Sequence, residues 1–230
     1  MATTLHHDVL ADLGPRVVSG ELREGESITL EWVGAEYDVS RTVAREVIQV
    51  LVSMHLVDSR RRTGITARPH QEWDVYNSDV IRWRLAGPGR VAHLHELSQL
   101  RAAIEPAAAE MAAARASAEV RTEVLRLSEA LERTGAAGDL RRFLEHDVRF
   151  HQLLLLASGN PMFSALTDVV EAVLRARTEL DLMPPEPKSE ARAHHVAVAR
   201  AVAGSDGPGA RRAMTAICLE VAGELDELVD

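Results

Sequence analysis

The sequence predicts a mainly α-helical fold. Hydrophobic residues make up 46% of the 230 residues but aromatic residues only 3%, and alanine, leucine and valine supply most of the apolar surface. That composition favours close-packed helices over a β-sandwich, which would contain more Tyr, Phe and Ile. Apolar residues at helical spacing then recur along most of the chain.

The first 70 residues are predicted to hold three helices and a β-hairpin. The first helix is indicated by apolar residues spaced four apart, namely Leu5, Val9, Leu13 and Val17. A short second helix is predicted in "LEWVGAEYDV", and a third begins after Ser40, whose hydroxyl suits an N-cap. Short strands at Val57–Asp58 and Ile65–Ala67 flank a turn at residues 60–64. This is the element order of a winged helix-turn-helix domain, predicted for residues 1–70.

The rest of the chain divides at a change of composition. Residues 71–90, rich in Trp and Tyr and broken by Gly-Pro-Gly, are predicted to be a linker with a short helix around Asp79–Leu85. Residues 91–230 are helical throughout, with breaks at "GAAGD", "SGNP", "MPPEP" and "GSDGPG". They are predicted to form an all-α helical bundle of five to seven helices.

Bulk properties exclude several classes of protein. The net charge of −9 argues against a chain that coats nucleic acid over its whole surface, although it permits a local DNA-binding face. The single cysteine, Cys218, cannot form an internal disulfide, and no apolar run approaches the roughly 20 residues of a membrane span. The polar N-terminus lacks the features of a signal peptide, so we expect a cytoplasmic protein without membrane contact.

Arg41 and Arg45 lie four apart at the start of the third predicted helix. The opposite side of this helix is apolar, so both arginines are expected to face solvent. In a helix-turn-helix domain, this end of the helix enters the major groove, where arginine binds guanine or phosphate. The alternative is an ordinary solvated helix face, because arginines at this spacing are common.

The motifs of this region resemble a known family. "SGELREGESI" followed by "YDVSRTVAREVIQVLVSMHLVDSRRRTGI" resembles the GntR-type bacterial repressors over residues 5–68. The resemblance implies that double-stranded operator DNA is contacted by Ser40, Arg41, Thr42 and Arg45, and that the wing at Thr63 and Gly64 reaches the minor groove. The sequence departs from the pattern near Glu31, where some members carry a further DNA-contacting arginine.

Asp147 and His151 form a second constellation, on an apolar stripe. They lie one helical turn apart on the face that carries Leu140, Leu144 and Leu154. A buried carboxylate without a partner costs several kcal/mol, so a cationic group must face Asp147. Three interpretations compete: a structural Asp–His or Asp–Arg pair, a divalent metal site of Zn, Ni or Mn type completed by His195, or an Asp/His catalytic pair without an evident nucleophile.

Arg101 is also placed on an apolar stripe, between Leu97 and Ile104. It could pair with Asp147 or with Glu105. Beside a metal, it could instead bind a small carboxylate through two parallel hydrogen bonds.

Three stretches of the C-terminal region carry a second resemblance, namely "LSQLRAAIEPAAAEMAA", "HDVRFHQLLLLASGNPMF" and "AHHVAVARAVAGSDGPGARRAM". They resemble the FCD effector domain of the FadR-like branch. The resemblance implies metal ligands at Asp147, His151 and His195, and effector contacts at Arg101 and Asn160; Asn160 also suits an N-cap before Pro161. Family members often carry a fourth histidine where this chain has Ile217, a residue that fits a core position.

Together these features predict a homodimeric transcriptional regulator that acts as a repressor. Its operator affinity would be controlled by a small organic acid in a metal-containing pocket. The segment "DVIRWRL" resembles that of regulators of sugar-acid catabolism, which suggests a gluconate- or galactonate-like effector. Two alternatives stay open: a metal-dependent enzyme built on Asp147, His151 and His195, and a metal-free acyl-CoA sensor of the same branch.

Overall fold

The chain is mainly helical and divides into two units, residues 1–90 and residues 91–230. The structure, a computed structural model, describes residues 2–60, 64–179 and 189–226. Both parts of the predicted fold class are confirmed: a winged helix-turn-helix unit and an all-α bundle.

The first unit contains the predicted helices and hairpin, with one additional strand. Its elements are α1 (Ala2–Val18), β1 (Ser27–Ile28), α2 (Leu30–Glu36), α3 (Arg41–Ser53), β2 (Val57–Arg60) and β3 (Gly64–Ala67). The strands form an antiparallel sheet in the order β1-β3-β2, with Ile28 opposite Ile65 and Val57 opposite Ala67. Strand β1 could not be predicted, because a two-residue strand is too short to show an alternating pattern.

The core of this unit is formed by α1 and α3 packing against the sheet. Val9, Leu13 and Val17 of α1 are buried there with Val47 and other apolar residues of α3. Leu5, predicted to share the buried face of α1, is instead 47% exposed. The buried stripe of α1 therefore begins one turn later than the spacing predicted.

The segment 71–90 carries α4 (Ser78–Ala86), preceded by one turn of 3-10 helix at His70–Glu72. Asn77 caps α4 by accepting hydrogen bonds from the backbone of Asp79 and Val80. Helix α4 packs on α1, where the Trp83 ring lies so close to Gly14 that a methyl group there would clash with it. This part of the predicted linker is therefore packed into the first unit.

The second unit is all helical in the part that the structure describes. Its helices are α5 (Arg90–Arg115), α6 (Ala118–Ala136), α7 (Leu140–Ala157), α8 (Pro161–Ser164), α9 (Thr167–Glu179), α10 (Ser189–Ala203) and α11 (Gly207–Asp226). Helix α7 packs between α6 and α9, while α10 packs against α6 and α11. Phe150 and Leu154 of α7 are buried in the core. The predicted break at "MPPEP" lies outside the described residues.

No helix in the described ranges combines the length and the apolar character needed to cross a bilayer.

Candidate functional site

The start of α3 presents a polar surface in the first unit. Ser40 is its N-cap, and the hydroxyl oxygen accepts a hydrogen bond from the backbone N–H of Val43 at 3.3 Å. Arg41, Thr42 and Arg45 are exposed at the first turns of this helix. All four residues predicted to contact DNA through α3 therefore lie on one accessible helix end.

Glu31 of α2 lies beside this surface. Its carboxylate is 3.3 Å from the Arg41 guanidinium, and the two side chains are 66% and 69% exposed. Hydrogen bonds from its own backbone N–H and from Thr29 lower the pKa of Glu31, and the charge of Arg41 lowers it further. An exposed ion pair of this kind contributes little to stability. Its main effects are on the direction of the Arg41 side chain and on the net charge of this surface.

Gly64 begins β3 in a conformation that only glycine adopts readily. Its φ is +80°, and a Cβ added there would lie 2.7 Å from the Ile28 carbonyl oxygen. Glycine is therefore required at this position by the backbone of the wing, whatever the wing contacts. The predicted wing residue Thr63 lies outside the described residues.

A buried polar cluster lies inside the second unit. It consists of Arg101 and Glu105 on α5, Asp147 and His151 on α7, and His195 on α10, each at most 5% exposed. Asp147, His151 and His195 each offer one ligand atom, and these three atoms lie within 4.8 Å of one another. The four side chains predicted to converge do converge, and Glu105 joins them. The neighbouring His194 is half-buried and outside this group.

Asp147 is the centre of the three-residue group. Its Oδ1 lies 3.0 Å from Nε2 of His195 and 3.3 Å from Nε2 of His151. The contact with His151 does not have hydrogen-bond geometry, so this Nε2 is buried without a hydrogen-bond partner among the described residues.

The other nitrogen of each histidine is occupied. Nδ1 of His195 lies 2.8 Å from the Ala191 carbonyl oxygen, and Nδ1 of His151 lies 2.5 Å from Oε2 of Glu105. Because both partners are acceptors, we infer a hydrogen on each Nδ1. Each neutral imidazole would then direct its Nε2 lone pair towards the carboxylate of Asp147. A cation, either a proton or a metal ion, is needed between them.

Electrostatics in the cluster favour charged groups despite burial. Burial opposes the imidazolium of His151, but Glu105 and Asp147 outweigh it and raise the pKa of His151 to about 9. Burial likewise opposes both carboxylates. The cations nonetheless lower the pKa of Glu105 to about 2, through Arg101 and His151, and that of Asp147 well below its usual range, through His151 and His195.

Arg101 pairs with Glu105 along one edge of its guanidinium. Its Nε donates to Oε1 of Glu105 at 2.6 Å, and its Nη2 donates to Oε2 at 3.3 Å. This edge could have bound an effector carboxylate through two parallel hydrogen bonds, but Glu105 occupies it, which is the pairing that the sequence also allowed. The remaining nitrogen, Nη1, is buried without a hydrogen-bond partner among the described residues. An effector could therefore be bound by Arg101 only through the opposite end of the guanidinium.

The donor set suits a divalent transition metal. Carboxylate oxygen and imidazole nitrogen are ligands for Zn²⁺ and similar ions. Tetrahedral coordination at about 2.0–2.2 Å places neighbouring ligand atoms roughly 3.3 Å apart. The distances from Asp147 Oδ1 to the two Nε2 atoms are 3.0 and 3.3 Å, and the Nε2 of His151, which has no hydrogen-bond partner among the described residues, is available to bind such an ion. Both histidines also donate from Nδ1 to an acceptor, as metal-bound histidines usually do.

Two further positions of α11 bear on this site. Ile217, at the place of the usual fourth histidine, is 5% exposed and belongs to the apolar core. Cys218 is 2% exposed, and burial together with the charge of Glu105 raises the pKa of its thiol to about 12. It is not part of the three-residue group.

Asn160 has a structural task in the fold. Its Oδ1 accepts a hydrogen bond from the backbone N–H of Met162 at 3.0 Å, and it caps α8 with Pro161 at the first turn. This is the capping role that the sequence also allowed.

From its position in the sequence, Glu105 is expected only as a possible partner of Arg101. The spacing of four along α5 signals that pair, whereas the contact with His151 depends on how α5 and α7 pack. Ser98 was missed: it lies three residues before Arg101, is 1% exposed, and its hydroxyl has no hydrogen-bond partner among the described residues.

Comparisons with known proteins agree with both units. The gntR family of bacterial regulatory proteins matches residues 5–66, and the FCD domain matches residues 96–219. The galactonate operon transcriptional repressor of Escherichia coli K12 is 27% identical over 208 residues, which cover 89% of this chain and 90% of the relative. The Exu regulon transcriptional regulator of the same strain is 30% identical over 179 residues, covering 76% and 63%.

A solved structure shares the fold. The Streptococcus agalactiae GntR structure has a TM-score of 0.53 and 20% sequence identity, and the match covers 95% of this chain and 99% of that one.

Proposed function

Since the chain belongs to the gntR family of bacterial regulatory proteins and carries an FCD domain, we propose that it is a metal-dependent, effector-controlled transcriptional repressor. The observation that carries the proposal is the convergence of Asp147, His151 and His195 beside Arg101. The first unit would bind operator DNA, and the cluster in the second unit would bind a divalent metal and a small carboxylate.

DNA binding is assigned to the exposed end of α3. Arg41 and Arg45 would contact base edges or phosphates in the major groove, with Ser40 and Thr42 beside them, and the wing at Thr63 and Gly64 would reach the minor groove. A single winged unit buries little surface on DNA, and half-sites come in pairs, so the active form is a homodimer. Sedimentation should therefore give twice the chain mass of 25.2 kDa.

The DNA-binding assignment can be tested by gel shift on the intergenic region upstream of the coding sequence. The double variant Arg41→Ala/Arg45→Ala should abolish a complex that weakens as salt is raised. The matched control is Arg141→Ala/Arg142→Ala, which removes two exposed arginines from the start of α7 in the other unit. Retention of the complex by the first variant would refute the assignment.

In the cluster, the metal would be held by Asp147, His151 and His195, and it would supply a positive charge that attracts a carboxylate. Arg101 would donate from Nη1 to the same effector. Asn160 stays a proposed effector contact in addition to its capping role. With Ile217 at the fourth position, the residues that the structure describes offer three ligands, and the remaining coordination position would be taken by water or an effector oxygen.

The proposed effector is a sugar acid of the galactonate type. This follows from the relative named as the galactonate operon repressor, which matches 89% of this chain. Galactonate should weaken operator binding by the zinc-loaded wild type and should have no effect on Arg101→Gln. If galactonate binds neither protein in calorimetry, the effector class is wrong, while the DNA-binding assignment is unaffected.

Metal content separates the remaining alternatives. The relatives of this chain are transcriptional regulators and not enzymes, so membership of the family excludes the metal-dependent enzyme. A metal-free acyl-CoA sensor predicts no metal in protein purified without a histidine tag. About one Zn, Ni or Mn ion per chain would support the proposed site, and a metal-free protein that binds acyl-CoA would replace it. We place the regulator in the cytoplasm, where its DNA is.

A further inference from the structure

We propose that Glu105 is a positioning residue, which joins the metal-binding histidine to the effector-binding arginine. The inference rests on the metal site proposed above. It concerns a carboxylate outside the three ligands, with only 2% of its surface exposed.

The two oxygens of Glu105 serve different elements of the cluster. Oε2 accepts from Nδ1 of His151 on α7 at 2.5 Å, and Oε1 accepts from Nε of Arg101 on α5 at 2.6 Å. Both oxygens are engaged in short hydrogen bonds, and Glu105 is not one of the three residues whose ligand atoms converge. Glu105 therefore acts on the site through the two side chains that it holds.

Glu105 determines which nitrogen of His151 directs a lone pair towards Asp147. A carboxylate can only accept hydrogen bonds, so it keeps a hydrogen on Nδ1 and leaves Nε2 available to a metal. Nε2 of His151 is the atom that lies 3.3 Å from Asp147 Oδ1.

Its effect on Arg101 is to fix the direction of the guanidinium. Two parallel hydrogen bonds hold the Nε and Nη2 edge against Glu105, and Nη1 is the nitrogen left over. One carboxylate thereby orients a metal ligand and an anion-binding group together.

The substitution Glu105→Gln tests this role because it preserves size and removes the charge. A glutamine has one acceptor oxygen and one NH₂ group, so it cannot accept from both His151 and Arg101. When the NH₂ group faces His151, it favours the tautomer with hydrogen on Nε2, which cannot bind a metal.

The experiment is a zinc titration of tag-free protein in competition with a fluorescent zinc chelator. Glu105→Gln should bind Zn²⁺ about 10- to 100-fold more weakly than wild type, as for other residues that orient metal ligands. The matched control is Glu110→Gln on the same helix, where the carboxylate pairs with Arg211 at 2.6 Å on the surface. It should bind zinc as wild type does.

A second readout reports the contact itself. The Nδ1 hydrogen of His151 in its short bond to Glu105 should give a far-downfield proton resonance in the metal-free wild type. Asp147→Asn should lose zinc binding and keep this resonance, whereas Glu105→Gln should lose the resonance and bind zinc more weakly. If Glu105 had only a structural role, Glu105→Gln would lose the resonance and keep wild-type zinc affinity.

Should Glu105→Gln fail to fold because it leaves Arg101 unpaired, the double variant Arg101→Gln/Glu105→Gln removes both charges and should also bind zinc more weakly. Wild-type zinc affinity in a folded Glu105→Gln or double variant would overturn this inference and leave the metal site standing. Absence of zinc binding by the wild type would instead overturn the metal site and the inference together.

Discussion

Oδ1 of Asp147 lies 3.0 Å from Nε2 of His195, although the two residues are 48 positions apart in the chain. The contact joins α7 to α10 in the interior of the second unit, where the carboxylate is buried away from solvent. Among the described residues, the hydrogen-bond and ion-pair partners of Asp147 are His195 and His151, and Arg101 is paired with Glu105, so a positive charge can be held between the carboxylate and the two imidazoles.

Replacement of Asp147 by asparagine should remove metal binding. The amide lacks the negative charge that holds the cation, so the Zn²⁺ affinity should fall by at least about 100-fold. That is the largest loss usual for residues that only hydrogen-bond to a metal ligand, and Asp147 is itself a ligand in the proposed site. Equilibrium dialysis with elemental analysis measures this. Asp168→Asn, at an exposed position of α9, is the control and should bind zinc normally. Unchanged zinc binding by Asp147→Asn would mean that the metal is held elsewhere.

The metal-free protein should lose stability as the pH rises from 6 to 9. His151 has a pKa of about 9 in the folded protein and an ordinary value of 6.5, so its stabilising contribution is complete below pH 6.5 and is lost towards pH 9. Urea unfolding at several pH values should show a decrease on the order of a few kcal/mol. His151→Gln should lack this decrease. An equally steep decrease in that variant would assign it to another group.

At acid pH, the stabilising contribution of Glu105 depends on pH in the opposite direction to that of His151. Its folded pKa of about 2 lies below the ordinary 4.5, so its contribution is present above pH 4.5 and is lost as the pH falls towards 2. Glu105→Gln should therefore lose part of the acid sensitivity that the wild type shows in the same unfolding experiment. Identical acid limbs for the two proteins would contradict the pairing of Glu105 with Arg101 and His151.

Gly64→Ala should destabilise the winged unit. The positive φ alone costs about 1–2 kcal/mol for alanine, and the Cβ would also press on the Ile28 carbonyl oxygen at 2.7 Å. Gly20→Ala is an informative control, because Gly20 has the same φ of +80° but open space around it. Thermal unfolding should give a lower melting temperature for Gly64→Ala than for Gly20→Ala. Equal melting temperatures would show that the wing relaxes to accept the methyl group.

Glu31→Ala should strengthen binding to DNA of any sequence. It removes a negative charge from the surface of α3 and releases Arg41 from an ion pair at 3.3 Å. One more phosphate contact would steepen the dependence of log affinity on log salt by about 0.9. Fluorescence anisotropy on random duplex DNA measures both, with Glu145→Ala on α7 as the charge-matched control. A weaker complex would show that Glu31 itself orients Arg41 for binding.

The prediction that Asp147 and His151 of α7 are buried is confirmed, because helical periodicity assigns a face of the helix to each position. Ile217 was likewise predicted to be a core residue from its spacing. The contact between Glu105 and His151 could not be predicted, because it spans 46 positions and depends on the approach of two helices. Strand β1 was not predicted, because two residues are too few to show a periodic pattern. The exposure of Leu5 shows that periodicity does not reveal where the buried face of a helix ends.

The mutual dependence of Arg101 and Glu105 restricts how this protein can diverge. Both side chains are almost fully enclosed, so exchanging either one alone removes an ionic partner from a charge in the interior, at a cost of about 3–5 kcal/mol. That cost is a large part of the roughly 5–15 kcal/mol by which domains stay folded. Descendants of this gene should therefore retain the two residues as a unit or replace them together, even when the molecule they sense has changed.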